Sequence, residues 1–466
     1  MHRILSEAHL RSRNPAISRG ILSGLPSQLG GIGFDQETGS APSDVPLPEI
    51  PQGASRQGTD TSGHSISRPR TSKKITPPNR TVVNGPIQML RFILLSNYAN
   101  PLLIFVPIGI ALHFTNVSAS VIFVMNFLAI IPLAALLSLA TEGKLYIAIS
   151  IKVVGQTLGG LMNATFGNAV ELIVSIIALV KGEIGIVQAS LLGSMLSNLL
   201  LVLGMAFFFG GLKKPEQKFN MTVAQTSSSL LTISIISLLI PAAFHFSVPD
   251  SDHGVSQISR AVSILLLITY SIYLWFQVCS TSVAGAYCKL KSHAYLYDVS
   301  EEYEIEEHAT LPVSIAVLVL IVVTVLVAVC AEFLVASIDS LVSNSSINRK
   351  FVGLILLPIV GNAAEHVTAV TLAIKDKVDL SIAVAVGSSA QVSLLVTPLM
   401  VILGWIIGKD MTLFFDPFQT VVLFASILLV NYIIQDGKSN YLEGSMLVTA
   451  YIIIAIAVWY YPKDSS

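Results

Sequence analysis

Eleven apolar runs follow one another along the chain, near 97–114, 118–140, 145–180, 184–210, 221–246, 259–284, 311–338, 345–375, 380–408, 412–434 and 440–461. A helix needs about 20 apolar residues to cross the hydrocarbon core of a bilayer. Inside lipid the backbone N–H and C=O groups find no water, so each must be bonded within the protein. The runs therefore predict an all-α, polytopic membrane protein of about eleven transmembrane helices. Composition agrees: 53% of the 466 residues are hydrophobic and only 12% are charged, against about 25% charged in a soluble domain. Lys and Arg total 27 and Asp and Glu total 28, a balance that argues against nucleic acid as a partner. Cys279, Cys288 and Cys330 lie in or beside apolar runs without metal-ligand spacing, as buried apolar cysteines do.

Residues 1–90 are rich in Gly, Pro, Ser and Arg and hold no sustained apolar run, which predicts a disordered tail rather than a signal peptide. The remaining boundaries are an extra first helix at 91–116, a first repeat at 117–284, an acidic linker at 285–310 and a second repeat at 311–462. Basic residues favour the cytosolic ends of spans. Arg68, Arg70, Lys73, Lys74, Arg80 and Arg91 precede the first span. A cytosolic amino terminus then puts Lys144, Lys213, Lys214, Lys218, Lys289, Lys291, Lys375, Lys377 and Lys438 on the same side. Lys181, Arg260, Arg349, Lys350, Lys409 and Lys463 fall opposite.

Within the third and eighth runs an acidic motif returns. Residues 167–176 read GNAVELIVSI and residues 361–370 read GNAAEHVTAV, a shift of 361 − 167 = 194. The same shift carries GSMLSNLLLVLG at 193–204 onto GSSAQVSLLVTP at 387–398, so that Ser194 meets Ser388 and Ser197 meets Gln391. Glu142 in SLATEGKL and Glu332 in AVCAEFLV match at 332 − 142 = 190. Each half thus holds about five spans. An odd number makes the second copy enter from the opposite side, an inverted repeat of the kind that places a transporter's substrate near the midplane. Gly155, Gly159, Gly160, Gly353 and Pro358 precede the motifs in two runs longer than a span needs, which predicts broken helices there.

A lone carboxylate at the bilayer centre costs roughly 2.5–3.5 kcal/mol on insertion scales, so Glu171 and Glu365 call for something that binds them. Asn168 and Asn362 stand three residues earlier, on the same helix face. Ser194, Ser197, Ser388 and Gln391 add neutral oxygens, and carbonyls freed at Gly167 and Gly361 complete a shell. Hard oxygen ligands with two carboxylates suit Ca²⁺, which takes about 6–8 oxygens in flexible geometry; Mn²⁺ ranks second, and Mg²⁺ lower because it sheds water reluctantly. The plainer alternative is a pair of protonated glutamates bonding neighbouring helices. His366 reads either as a proton-handling group or as a helix–helix hydrogen bonder. No cofactor is expected.

These motifs, GNAVELIVSI with GNAAEH and the two serine-bearing segments that follow them, resemble the cation/proton exchanger family, with the vacuolar Ca²⁺/H⁺ exchangers of fungi and plants as the nearest match. The resemblance covers about 95–462. It implies eleven spans with the first outside the repeated core, Ca²⁺ held by Glu171 and Glu365, and proton and cation passage at Glu142 and Glu332. It also implies an acidic helix between the halves. DVSEEYEIEEH at 298–308 lies there, where Glu301, Glu302, Glu304, Glu306 and Glu307 make either a solvated face or a cytosolic Ca²⁺ sensor.

The function expected from all this is secondary active exchange of cytosolic Ca²⁺ for protons across an acidic, vacuolar membrane. Its partners are the two ions and the bilayer. Rival readings are a Na⁺-coupled Ca²⁺ exchanger and a passive cation channel. An enzyme is not expected, because no H-E-x-x-H is present and no G-x-S-x-G stands in a suitable setting.

Overall fold

A computed structural model describes residues 99–141, 167–249, 251–281 and 313–462. Described residues are nearly all helical, running α1 (Asn100–His113), α2 (Ala119–Thr141), α3 (Ala169–Lys181), α4 (Ile184–Lys213), α5 (Met221–Ser247), α6 (Asp252–Thr281), α7 (Val313–Asn344), α8 (Arg349–Gly361), α9 (Ala363–Ile374), α10 (Val378–Ile407), α11 (Pro417–Ile433) and α12 (Tyr441–Trp459). Two short strands, β1 (Gln217–Lys218) and β2 (Lys438–Ser439), pair antiparallel at one end of the bundle. Among the described residues eight helices are long and apolar enough to cross a membrane, and the α8–α9 pair, bent by 55°, makes up to nine. α1 is apolar but shorter, and α3 is the described end of the run at 145–180. Every one of the eleven runs carries a helix among the described residues, although the count of full crossings stops at nine.

End-to-end ties fix the direction of each helix. α4 has 30 residues, which at 1.5 Å per residue is about 45 Å. At its start Glu183 accepts from Arg349 at 2.8 Å, and past its end Lys214 pairs with Asp376 at 2.8 Å. α4 and the broken α8–α9 pair therefore run the same way, from a Glu183 end to a Lys214 end. α10 begins beside Asp376 and finishes at Lys409, which lies against Gly182, so it runs opposite to α4. α3 ends at Lys181 and α9 ends at Ile374, on opposite ends of the molecule. Starting from the repeated motif, the two half-helices point away from each other. That is the inverted repeat, and the described members of the two basic sets separate with it, Lys213, Lys214, Lys218, Lys375, Lys377 and Lys438 at one end and Lys181, Arg260, Arg349, Lys350 and Lys409 at the other.

Packing brings the motif helices to the centre. α2 lies along α7, while α12 and α9 cover the second half of α4. Where α4 and α12 cross, a side chain on Gly444 would lie 2.6 Å from the Gly204 carbonyl, and small residues allow that approach between membrane helices. Cys330 is fully buried in the core, as expected. Cys288 lies outside the described residues, and the Cys279 side chain does as well.

Candidate cation site at the helix breaks

Both motif asparagines sit at the amino-terminal boundary of a helix. Asn168 has φ −104° and ψ 31°, and Asn362 has φ −85° and ψ 15°, in the bridge region that chain breaks use. Three residues on, Glu171 and Glu365 occupy the first turns of α3 and α9. Unbonded N–H groups and the helix dipole favour negative charge there. α3 then extends 13 residues and α9 12 residues to opposite ends, which is about 20 Å and 18 Å. Both carboxylates are thereby placed near the middle of a layer about 30 Å thick. The break in the second half has a local cause. Residues Val352–Leu356 wind as a wide π turn, and Pro358 follows without an N–H to return to Leu354.

Side-chain bonds cross between the halves reciprocally. Ser194 donates to Asn362 Oδ1 at 3.0 Å, and Ser388 donates to Asn168 Oδ1 at 2.7 Å. Each serine is the other's counterpart under the 194-residue shift, and so is each asparagine. Two copies that exchange the same bond are related as by a two-fold axis. Asn168 Nδ2 also donates to Gln391 Oε1 at 2.7 Å, and Asn362 Nδ2 to the Ser194 carbonyl at 3.2 Å. Asn168, Ser194 and Asn362 are almost wholly buried.

Glu171 is buried, and its Oε1 makes no hydrogen bond. This oxygen lies 2.9 Å from where a Cβ would stand on Gly361, so the carboxylate of one half reaches the chain break of the other. Beside it a cavity of about 20 Å³ is lined by Glu171, Ser175, Ser190, Ser194, Pro358 and Gly361 among apolar neighbours. That volume holds about one water-sized particle. Glu365 is half-buried with Oε2 enclosed by protein, and it is not among the residues lining the cavity. His366 Nδ1 is 2.5 Å from the Asn362 carbonyl. A carbonyl only accepts, so Nδ1 carries the proton, and Nε2 is left as a buried acceptor without a partner.

Ser197 and Gly361 make contacts that the sequence reading did not foresee. Ser197 is fully buried but lies beside Tyr451 of α12, within a π turn at Ser197–Val202. It does not mirror Gln391, which accepts from Asn168, since Asn362 makes its side-chain bonds to Ser194 instead. Gly361 makes room for the Glu171 carboxylate. Gly167 opens the described segment ahead of α3. Glu332 is outside the cage: it pairs with Lys181 at 2.7 Å, half-exposed, where α7 meets the far end of α3. Glu142 and Glu301, Glu302, Glu304, Glu306 and Glu307 lie outside the described residues.

One member escaped the sequence reading. Asn198, fully buried, donates to Ser388 Oγ at 3.0 Å and so joins the Asn168–Ser388–Gln391 chain of bonds. The shift that finds the repeat pairs it with Val392, so identity between halves hid it. The usable signal was its spacing, one helical turn beyond Ser194 on the same face.

Comparison with known proteins decides the family. The profile of the sodium/calcium exchanger protein family matches residues 118–279 and 315–460, each segment covering one half of the repeat. The chain belongs to the sodium/calcium exchanger protein family. Within it, the chain is 46% identical to a vacuolar calcium ion transporter of Schizosaccharomyces pombe, over 81% of this chain and 88% of that one. It is 39% identical to vacuolar cation/proton exchanger 3 of rice, over 82% and 91%. Among solved structures, the Ca²⁺/H⁺ antiporter protein YfkE superposes with a TM-score of 0.62 at 34% identity, covering 80% of this chain and all of that one. The exchanger fold and its cation/proton branch therefore stand on the whole helical region, and these relatives are transporters rather than enzymes.

Proposed function

We propose that this chain is a secondary antiporter that exchanges cytosolic Ca²⁺ for protons across a vacuolar membrane, its amino terminus in the cytosol. One observation carries the reading: Glu171 presents a buried, unbonded carboxylate oxygen to the chain break of the opposite half. An uncompensated charge in that place is costly, and either a cation or a proton removes the cost. The two therefore compete for one group, which is the condition for exchange. Relatives named as vacuolar calcium transporters and Ca²⁺/H⁺ antiporters support the choice of ions and of membrane.

In this mechanism Glu171 and Glu365 take up Ca²⁺ from the cytosolic side. Asn168, Asn362, Ser194 and Ser388 hold their oxygens in the reciprocal bonds already described, with Gln391 and Asn198 fixing Asn168 and Ser388. The halves then rearrange toward an acidic lumen, where protons neutralise the carboxylates and the ion leaves. The pH gradient sets the direction, and competition of Ca²⁺ and H⁺ for the same carboxylates couples the two fluxes. His366, with Nε2 open, serves as a proton acceptor one residue from Glu365, and Mn²⁺ is a second cargo suited to the same oxygens.

The test is Ca²⁺ uptake into proteoliposomes under an imposed pH gradient. Uptake is expected to collapse with a protonophore, to persist when sodium is replaced, and to disappear in Glu171→Gln and in Glu365→Gln. Robust uptake by either variant removes the site assignment, and dependence on sodium removes the proton coupling.

A further inference from the structure

Away from the cage, α5 and α11 line an open pocket of about 460 Å³ formed by Gln225, Ser228, Ser229, Thr232, Asn431 and Gln435 with Leu428, Tyr432 and Ile434. No lining residue is charged. The volume falls within the range of roughly 300–1,000 Å³ that small-molecule sites occupy. Part of the polar lining is already bonded. Ser228 donates to Asn431 Oδ1, Asn431 to Thr232 Oγ1, Thr232 to the Ser228 carbonyl, and Ser229 to the Gln225 carbonyl. The side-chain amides of Gln225 and Gln435 are exposed and have no partner among the described residues. Each offers both a donor and an acceptor.

Depth and surroundings narrow the ligand. Gln225 lies one turn into α5 and Gln435 just past α11, at the end of the bundle that carries Lys218 and Lys438. Tyr432, 78% exposed, stands at the same level, as interfacial tyrosines do. From there Leu428, Phe424 and Val421 form an exposed apolar row down one face of α11, and Ile233, Ile236 and Ile240 form another down α5. An uncharged hydrogen-bonding head at the interface, continued by two greasy strips at hydrocarbon depth, is the outline of a lipid. A phosphate would call for Arg or Lys in the lining.

We propose that the α5–α11 pocket binds an uncharged, hydroxyl-bearing membrane lipid, its hydroxyl bonded to Gln225 and Gln435 and its hydrocarbon lying along α11. Diacylglycerol and sterols share that chemistry. The full chain, reconstituted in phosphatidylcholine vesicles, is labelled separately with a photoactivatable diacylglycerol and a photoactivatable sterol, and the labelled peptides are mapped. Label is expected to concentrate in 221–240 and 421–436 with at least one of the two probes, and to be competed by the matching unlabelled lipid. Which probe labels tells the two sources apart. The double variant Gln225→Leu with Gln435→Leu is expected to lower that labelling about tenfold, through the loss of two hydrogen bonds. Its Ca²⁺ uptake should match the parent, which shows that it is folded. Label spread evenly over every lipid-facing helix overturns the proposal. So does label undiminished in the double variant, or cross-linking of two copies through cysteines placed at 225 and 435.

Discussion

A methyl group added to Gly361 would stand 2.9 Å from Glu171 Oε1, too close for either atom to keep its place. Gly361→Ala should therefore push the carboxylate out of its seat without touching its charge. Overpacking of this kind costs about 1–3 kcal/mol, and the variant is expected to raise the KM for Ca²⁺ by about 10- to 100-fold while the protein still purifies as a folded monodisperse species. A KM within twofold of the parent would show that this glycine does not set the carboxylate's position. Glu171 and Asn168 were legible because an acid and an amide are conspicuous in an apolar run and recur at one shift. Asn198 was not, since its importance comes from a neighbour, Ser388, that only the folded chain supplies. Asp376 was also invisible. It sits at φ 62°, where the first half has Gly182 at φ 84°, and a non-glycine there is strained. Its carboxylate bonds Lys214 and Gln217, which explains an acid in a glycine's place. Those two partners, Lys214 first, hold it below the usual carboxylate range. The tie is therefore intact at neutral pH and is lost only as the pH falls through that depressed value.

Between elements, the break in α8 and the crossing of α4 belong together. Pro358 leaves the Leu354 carbonyl without its helical donor, and Gly193 brings α4 directly against that carbonyl and the proline ring. A Cβ at 193 would collide with both. Gly193→Ala is thus expected to separate α4 from α8, lowering the unfolding temperature by several degrees for a loss of about 1–3 kcal/mol, as read by fluorescence-detected thermal unfolding in detergent. An unchanged midpoint would mean that the crossing yields without strain. Gly353 and Pro358 made the broken helix readable beforehand, because breakers have a local mechanism. The paired wide turns at Ser197–Val202 and Val392–Val396 left no such mark. A π turn admits one extra residue for reasons of packing, and only Thr397, whose hydroxyl bonds the Val392 carbonyl at 2.8 Å, hints at it. Wide turns often mark functional positions, and these two lie within the serine-bearing segments 193–204 and 387–398 of the two halves.

At the scale of the whole molecule the two-fold relation is the mechanism's premise. One half-helix from the break reaches the Lys181 end and its counterpart reaches the Asp376 end, so each end of the bundle controls one approach to the same central acids. Ion pairs tie both ends across the halves, with Lys181 to Glu332 and Arg349 to Glu183 at one, and Lys214 to Asp376 at the other. Exposed pairs such as these contribute only about 0–1 kcal/mol each, weak enough to exchange during a cycle, and they therefore report geometry more than stability. The repeat was legible because its motifs recur at one shift, and its inversion because five spans per half is an odd number, whereas which end faces the cytosol rests on charge counting alone. Lys375 and Asp410 are exposed or nearly so on opposite ends, beside the αL turn at Asp376 and past the carboxyl end of α10. In a background lacking Cys279, Cys288 and Cys330, Lys375→Cys should react with a membrane-impermeant maleimide added to the cytosolic side of sealed vacuolar vesicles. Asp410→Cys should react only once the vesicles are opened. Labelling of both from one side would contradict the opposed ends and with them the inverted repeat. Reversed sidedness would keep the repeat and overturn the orientation, with the Asp376 end then facing the acidic compartment, while the proton gradient would still set the direction of transport.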